Sequence, residues 1–121
     1  MARILVVEDD EPVRGFVQRG LALDGHEVVT AVDGGEGLER LTLEAGRFDL
    51  LLTDIKMPVM DGIALALTAA RDYPDLPILL MTGYADQRER AKNLESLVRD
   101  VLVKPFSLAD LRAIVQRTLA S

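Results

Sequence analysis

The sequence predicts an α/β domain built on a parallel β-sheet, and three observations carry that prediction. Five short apolar runs alternate with five helical patterns along the chain. The runs are apolar throughout instead of alternating with polar residues, which suits strands covered on both faces. Four of the five end in a polar or charged residue, at Glu8-Asp9, Asp54, Thr82 and Lys104. Strict alternation at this spacing implies helices on both faces of the sheet, joined by right-handed crossovers.

The first strand is Arg3-Ile4-Leu5-Val6-Val7, bounded by Glu8, Asp9, Asp10 and Glu11. Pro12 suits the first turn of the following helix, with Asp10 or Glu11 as its cap. Val13, Phe16, Val17, Gly20 and Leu21 then recur at the spacing of one helix face, and Gly25 is the stop. Glu27 to Ala31 is the second strand. After the Asp33-Gly34-Gly35 turn, Glu36 to Ala45 is predicted helical, with Leu38, Leu41 and Ala45 inward. Gly35 and Gly37 weaken it, since glycine costs up to ~1 kcal/mol against alanine in a helix interior.

Phe48 to Thr53 is the third strand, climbing to Asp54. A loop containing Pro58 breaks it, Asp61-Gly62 opens the next helix, and Ile63 to Asp72 continues it until Tyr73-Pro74. Pro77 to Thr82 is the fourth strand. A helix is predicted over 87–98, capped by Asp86, with Ala91, Leu94, Leu97 and Val98 as its apolar positions. Val101 to Val103 is a short fifth strand before Lys104-Pro105. Ser107 with Asp110 has the spacing of a capping box, and the last helix buries Leu108, Leu111, Ile114, Val115 and Leu119.

Composition narrows the function. A chain of 121 residues suits one domain with one core, spanning 1–121. With no cysteine, disulfides, thiolate chemistry and Cys-zinc sites are excluded. No window approaches the ~20 apolar residues of a membrane span, no signal peptide is visible, and a cytoplasmic location is expected. The net charge of −6 argues against DNA as a partner of this domain. Residues 1–82 carry 7 Lys/Arg against 15 Asp/Glu, while residues 83–121 carry 7 against 5, so the acids gather in the first four strand units. A protein partner suits the more basic end.

In a parallel sheet all strand carboxyl ends lie on one edge, where such sheets bind ligands. That edge therefore collects Glu8, Asp9, Asp54, Thr82 and Lys104. Three acids brought together repel one another unless a cation joins them. An all-oxygen donor set favours Mg²⁺, or Mn²⁺ as a second choice, over zinc. With Lys104 as a second positive charge and Thr82 as a hydrogen-bond donor, the group can receive a phosphoryl group, and Asp54 is read as the nucleophile forming an acyl phosphate. Taken singly, each residue has a plainer reading: a cap, a structural threonine, a surface lysine. Their joint position on one edge is what points to chemistry. His26 is read as an ordinary surface residue, and Met57, Met60 and Met81 as loop or core packing.

The motifs Val6-Val7-Glu8-Asp9-Asp10, Thr53-Asp54-Ile55-Lys56-Met57-Pro58-Val59-Met60-Asp61-Gly62, Met81-Thr82-Gly83 and Val103-Lys104-Pro105-Phe106 resemble those of the receiver domains of two-component response regulators, over the whole chain. The resemblance implies a flavodoxin-like receiver fold of five parallel strands in the order 2-1-3-4-5 with five helices. It implies that Asp54 accepts a phosphoryl group from a histidine kinase or histidine phosphotransfer protein. Glu8, Asp9, Asp54 and the backbone carbonyl of Lys56 would hold Mg²⁺, Thr82 and Lys104 would contact the phosphate, and the bond before Pro105 would be cis. Such a protein is a switch and not an enzyme, assisting its own phosphorylation and dephosphorylation as a monomer or a weak phosphorylation-dependent dimer. A downstream protein would be met through residues 82–120.

Three departures from the family pattern stand out. Glu8 occupies a place where aspartate is usual, and its longer arm is expected to reach the metal through water. Val101 stands in the place of an aromatic switch residue. Gly83 leaves the pocket open, with Lys56 and Tyr84 at its flanks. The wording of Thr53 to Gly62 and of Phe106-Ser107-Leu108 is similar to stand-alone CpdR-type receivers that gate regulated proteolysis; a receiver from a hybrid kinase or larger regulator is the alternative. A haloacid-dehalogenase-type phosphatase, also built on an aspartate nucleophile with Mg²⁺, needs an acid where Lys56 stands. Flavodoxin-like nucleotide binding is opposed by Glu8-Asp9-Asp10-Glu11, which would repel a phosphate, and a module that never takes phosphate is opposed by the complete site.

Overall fold

A computed structural model of the chain describes residues 1–83, 89, 91, 92, 94 and 96–121. Five parallel strands, β1 (Arg3–Val7), β2 (Glu27–Ala31), β3 (Leu50–Asp54), β4 (Ile78–Thr82) and β5 (Asp100–Val103), form one sheet in the order β2-β1-β3-β4-β5. Four helices lie among the described residues: α1 (Glu11–Leu23), α2 (Gly34–Leu43), α3 (Gly62–Asp72) and α4 (Leu108–Ala120). The expectation of five helices is met only this far. Most of the helix expected over 87–98, with its Asp86 cap and Tyr84, lies outside the described residues, although Glu89, Ala91 and Lys92 are helical. None of the helices is long and apolar enough to cross a membrane, among the described residues.

The central strands β3 and β4 are buried at every position, as their unbroken apolar runs require. Successive side chains point to opposite faces, and this splits the core in two. On one face Leu5, Val7, Leu51, Ile55, Ile78 and Leu80 meet Leu41 of α2 and Leu65, Ala66 and Ala69 of α3. On the other, Ile4, Val6, Leu50, Leu52, Leu79 and Met81 meet Val17 and Leu21 of α1 and Leu111, Ile114 and Val115 of α4.

Helix starts follow local chemistry. Asp10, Asp33 and Asp61 cap α1, α2 and α3, each with its side chain accepting a backbone N–H three residues on. Ser107 and Asp110 form the reciprocal capping box of α4. Helix α2 departs from its expected bounds at both ends. The Asp33 cap starts it at Gly34, and it stops at Leu43, so that Ala45 is exposed with a left-handed φ of 53°. Phe16, expected inward, is instead 36% exposed in the first half of α1, where its ring lies 6.2 Å from that of Phe106. His26 is half-buried, and its Nδ1 accepts the N–H of Ala2, a structural tie across the chain's first strand.

Candidate phosphoryl and metal site

The carboxyl ends of β1, β3, β4 and β5 bring Glu8, Asp9, Asp54, Thr82 and Lys104 to one edge of the sheet. A cleft of about 790 Å³ opens there, lined among others by Glu8, Asp9, Asp54, Lys56, Gly83 and Lys104. Glu8 is fully buried, Asp54 is 6% exposed, and Asp9 reaches solvent. Oxygens of these three carboxylates lie within 4.8 Å of one another. That separation and donor chemistry fit a hard divalent cation that keeps part of its water shell. Thr82 is buried at the end of β4.

Lys104 closes the cluster. Its Nζ donates to Glu8 Oε1 at 2.7 Å and to Asp54 Oδ2 at 3.1 Å, joining the end of β5 to those of β1 and β3. The peptide bond from Lys104 to Pro105 is cis, as the sequence resemblance implied. The second oxygen of Asp54 accepts the N–H of Ile55 at 2.9 Å, and Glu8 Oε2 accepts the N–H of Asp10 at 3.2 Å. Both carboxylates are thus held by one ammonium and by backbone donors.

One ammonium does not balance three acids. Burial pushes the Glu8 carboxyl up to about 8, with the neighbouring Asp54 adding to the rise and Lys104 opposing it. Burial lowers Lys104, but its hydrogen bond to Glu8 and the charge of Asp54 prevail, so its pKa stands above the ordinary lysine value. Between pH 4.5 and about 8 the folded chain keeps a proton on Glu8 that the unfolded chain has lost. The stabilising contribution is complete below 4.5 and is lost as pH rises through the folded pKa. In chelator, denaturant unfolding should therefore show stability falling from pH 5 to pH 8.5, and Glu8→Gln should flatten that slope.

Sequence reasoning missed part of this site. Pro12, Val13, Phe16, Pro105 and Phe106 form an apolar wall beside the acids. Helical spacing had assigned Phe16 to the core, because a periodic pattern does not say where a helix overhangs the sheet edge. A methyl group at Gly83 would lie 3.6 Å from Lys104 Cβ, an ordinary contact, so the room there is small but real. Tyr84 lies outside the described residues.

Comparison with known proteins agrees with this geometry. Residues 4–116 match the family model of the response regulator receiver domain. The chain is 41% identical over 117 residues to the transcriptional regulatory protein PrrA of Mycobacterium tuberculosis, covering 97% of this chain and 49% of PrrA. It is 39% identical over 120 residues to the response regulator MprA of Mycobacterium ulcerans, covering 96% and 51%. The chain thus spans about half the length of the curated relatives it matches. Among solved structures, the chemotaxis response regulator CheY4 of Vibrio cholerae superposes with a TM-score of 0.86 at 32% identity, over 98% of both chains. The response regulator TrrA of Thermotoga maritima, solved in complex with Mg²⁺-BeF, superposes with a TM-score of 0.85 at 30% identity, over 98% of this chain and 99% of that one. Strand order, acid cleft and a match running almost end to end agree: the chain belongs to the receiver domains of two-component response regulators.

Proposed function

We propose that Asp54 is the phosphoacceptor of this receiver, that Glu8, Asp9 and Asp54 with the Lys56 carbonyl hold Mg²⁺, and that residues 1–121 act as one switching unit. The observation that carries the proposal is the position of Asp54. It sits at the mouth of a buried strand, 3.1 Å from an ammonium and within 4.8 Å of two further acids. Like carboxylates at that separation cost free energy in a resting protein, and a bound cation would offset that cost. The bound metal would supply positive charge toward the phosphoryl oxygens.

The chain's own residues do the rest. The backbone N–H of Ile55 and the Lys104 ammonium fix the two Asp54 oxygens, which leaves the carboxylate oriented before a donor arrives. When the Asp54 oxygen bonds to phosphorus, the P–N bond of the donor phosphohistidine breaks and the imidazole nitrogen keeps the electron pair. Lys104 can then exchange its contact with Asp54 for one with the transferred group, and Thr82, at the end of the adjacent strand, would donate a hydrogen bond to it. The phosphoryl group stays on Asp54 until water cleaves the acyl phosphate and returns the free carboxylate, so the phosphorylated chain is itself the signal. Lys56 stands where a phosphatase of the aspartate-nucleophile type needs its acid, which opposes that alternative.

Output falls to the face around residues 82–120. Val101 is half-buried against the core on the α2–α3 face of the sheet and carries no ring to swing inward. A change at Lys104 and Thr82 would then reach that face by a route other than a ring at 101, with Tyr84 or a shift of the 87–98 segment as the candidates. The relatives PrrA and MprA are about twice as long as this chain, and one of them is called a transcriptional regulator. They lend no support to a stand-alone CpdR-type receiver or to the absence of a DNA partner. The donor arm tests the proposal. With Mg²⁺ and acetyl phosphate the chain should take up one labile phosphoryl group, and chelation should abolish the uptake; uptake undiminished by chelator would overturn the metal assignment.

A further inference from the structure

We infer that Arg14 is a positioning residue for the acid pair: its guanidinium holds the turn after β1 in the shape that lets Glu8 and Asp9 face Asp54. This rests on the metal reading above and deepens it. Strand β1 ends at Val7, and Glu8 is fully buried beyond it. The N–H of Glu8 still donates to the Ala31 carbonyl at 3.1 Å, whereas its own carbonyl has left the strand ladder. A buried carbonyl needs a donor. Arg14 Nη1 supplies it, at 2.9 Å, from one turn into α1.

The contact closes a small framework. Arg14 N–H donates to the Asp10 carbonyl at 2.9 Å, Asp10 N–H donates to Glu8 Oε2 at 3.2 Å, and Asp10 Oδ1 accepts the Val13 N–H at 3.2 Å. Asp9 lies between these fixed points, with its own carboxylate directed into the acid cluster. Arg14 itself is half-buried and is not among the residues lining the cleft. It acts on the site through the Glu8 backbone. A donor to a main-chain carbonyl could be purely structural, in which case its loss would lower stability and leave cation binding alone. The inference is stricter: without Arg14 the Glu8 carbonyl turns toward another donor, and the two carboxylates on either side of it lose their common aim.

The charge of Arg14 gives the test its sign. A cation beside a cation site weakens binding, so deleting it for electrostatic reasons alone would tighten Mg²⁺. Loss of positioning acts the other way, and removing a supporting group behind a metal ligand typically costs about ten-fold in affinity.

Titrating Mg²⁺ alone into the wild type, Arg14→Ala, Arg14→Gln and Arg14→Lys, by calorimetry with no phosphodonor, separates these outcomes. Arg14→Ala should bind Mg²⁺ about ten-fold more weakly, and Arg14→Lys, which keeps a charged donor, should recover to within about three-fold. Binding by Arg14→Ala equal to or tighter than wild type would overturn the inference. If Arg14→Ala does not fold, Arg14→Gln weaker than Arg14→Lys upholds it, and the two equal to wild type overturn it. Melting in chelator gives the structural arm: a drop in melting temperature with Mg²⁺ affinity unchanged assigns Arg14 to stability only. A wild-type protein that binds no Mg²⁺ would instead refute the metal reading on which all of this stands.

Discussion

Lys104→Met should lower the stability of the metal-free protein by about 2–3 kcal/mol above pH 8, a larger loss than any surface ion pair would give. Lys104 Nζ reaches carboxylates 96 and 50 positions away in the chain, just past β1 and at the end of β3, and both are almost wholly buried. Methionine preserves the aliphatic stem, so the loss is that of the charge. Breaking one side of a buried pair leaves an uncompensated ion, at about 3–5 kcal/mol in a closed interior. The cleft opens to solvent at Asp9, which brings the figure down. The loss should also shrink below pH 7, because Glu8, already raised to about 8, takes up a proton more readily still without its ammonium. Denaturant unfolding in chelator at pH 6 and pH 9 reads both the loss and its pH dependence. Equal stability of wild type and Lys104→Met at pH 9 would contradict the account of the site as an acid excess held by one lysine.

Gly62→Ala should cost about 3 kcal/mol or more and disturb Asp54 at the same time. A Cβ at Gly62 would lie 1.8 Å from the Asp54 carbonyl oxygen and 3.0 Å from Ile55 Cα. Both are main-chain atoms, so no side-chain rotation relieves the overlap. The same approach carries the hydrogen bond from Gly62 N–H to the Ile55 carbonyl, at 2.7 Å, which returns the loop after β3 to the strand it left. Alanine there must displace either α3 or the segment bearing Asp54. Gly83→Ala is the control, since its new methyl meets nothing closer than 3.6 Å. Thermal melting should show Gly62→Ala far below wild type and Gly83→Ala near it. Similar melting of the two alanine variants would contradict the close approach.

The parts of the fold that depend on near neighbours in sequence could be read from sequence. Asp61 and Ser107 accept free N–H groups of the next helical turn, Asp110 reaches back to the N–H of Ser107, and that chemistry is written within four residues. The unbroken apolar runs of β3 and β4 were legible for the same reason. The strand order was not; it came from the family resemblance, because periodicity carries no information on which strands pair. Contacts between distant segments left no local trace. Gly37 looked like a weak point of a helix and Gly34 like part of a turn, yet a Cβ on Gly34 would meet the Met60 carbonyl at 1.9 Å, and one on Gly37 would press on Val7 and Leu65. They are small because α2 lies hard against its neighbours. At the site, the strand ends announced which groups meet but not how they pair. The double contact of Lys104, the complete burial of Glu8 and the tie from Arg14 needed the three-dimensional arrangement.

The central claim is that one carboxylate, Asp54, carries the phosphoryl group. The most direct measurement is the intact mass of wild type and Asp54→Asn after incubation with acetyl phosphate and Mg²⁺. The account predicts that the wild type gains a single phosphoryl group, lost again on mild base treatment, and that Asp54→Asn gains none. A wild type that stays unlabelled, or an Asp54→Asn protein that gains the same labile group, would contradict it.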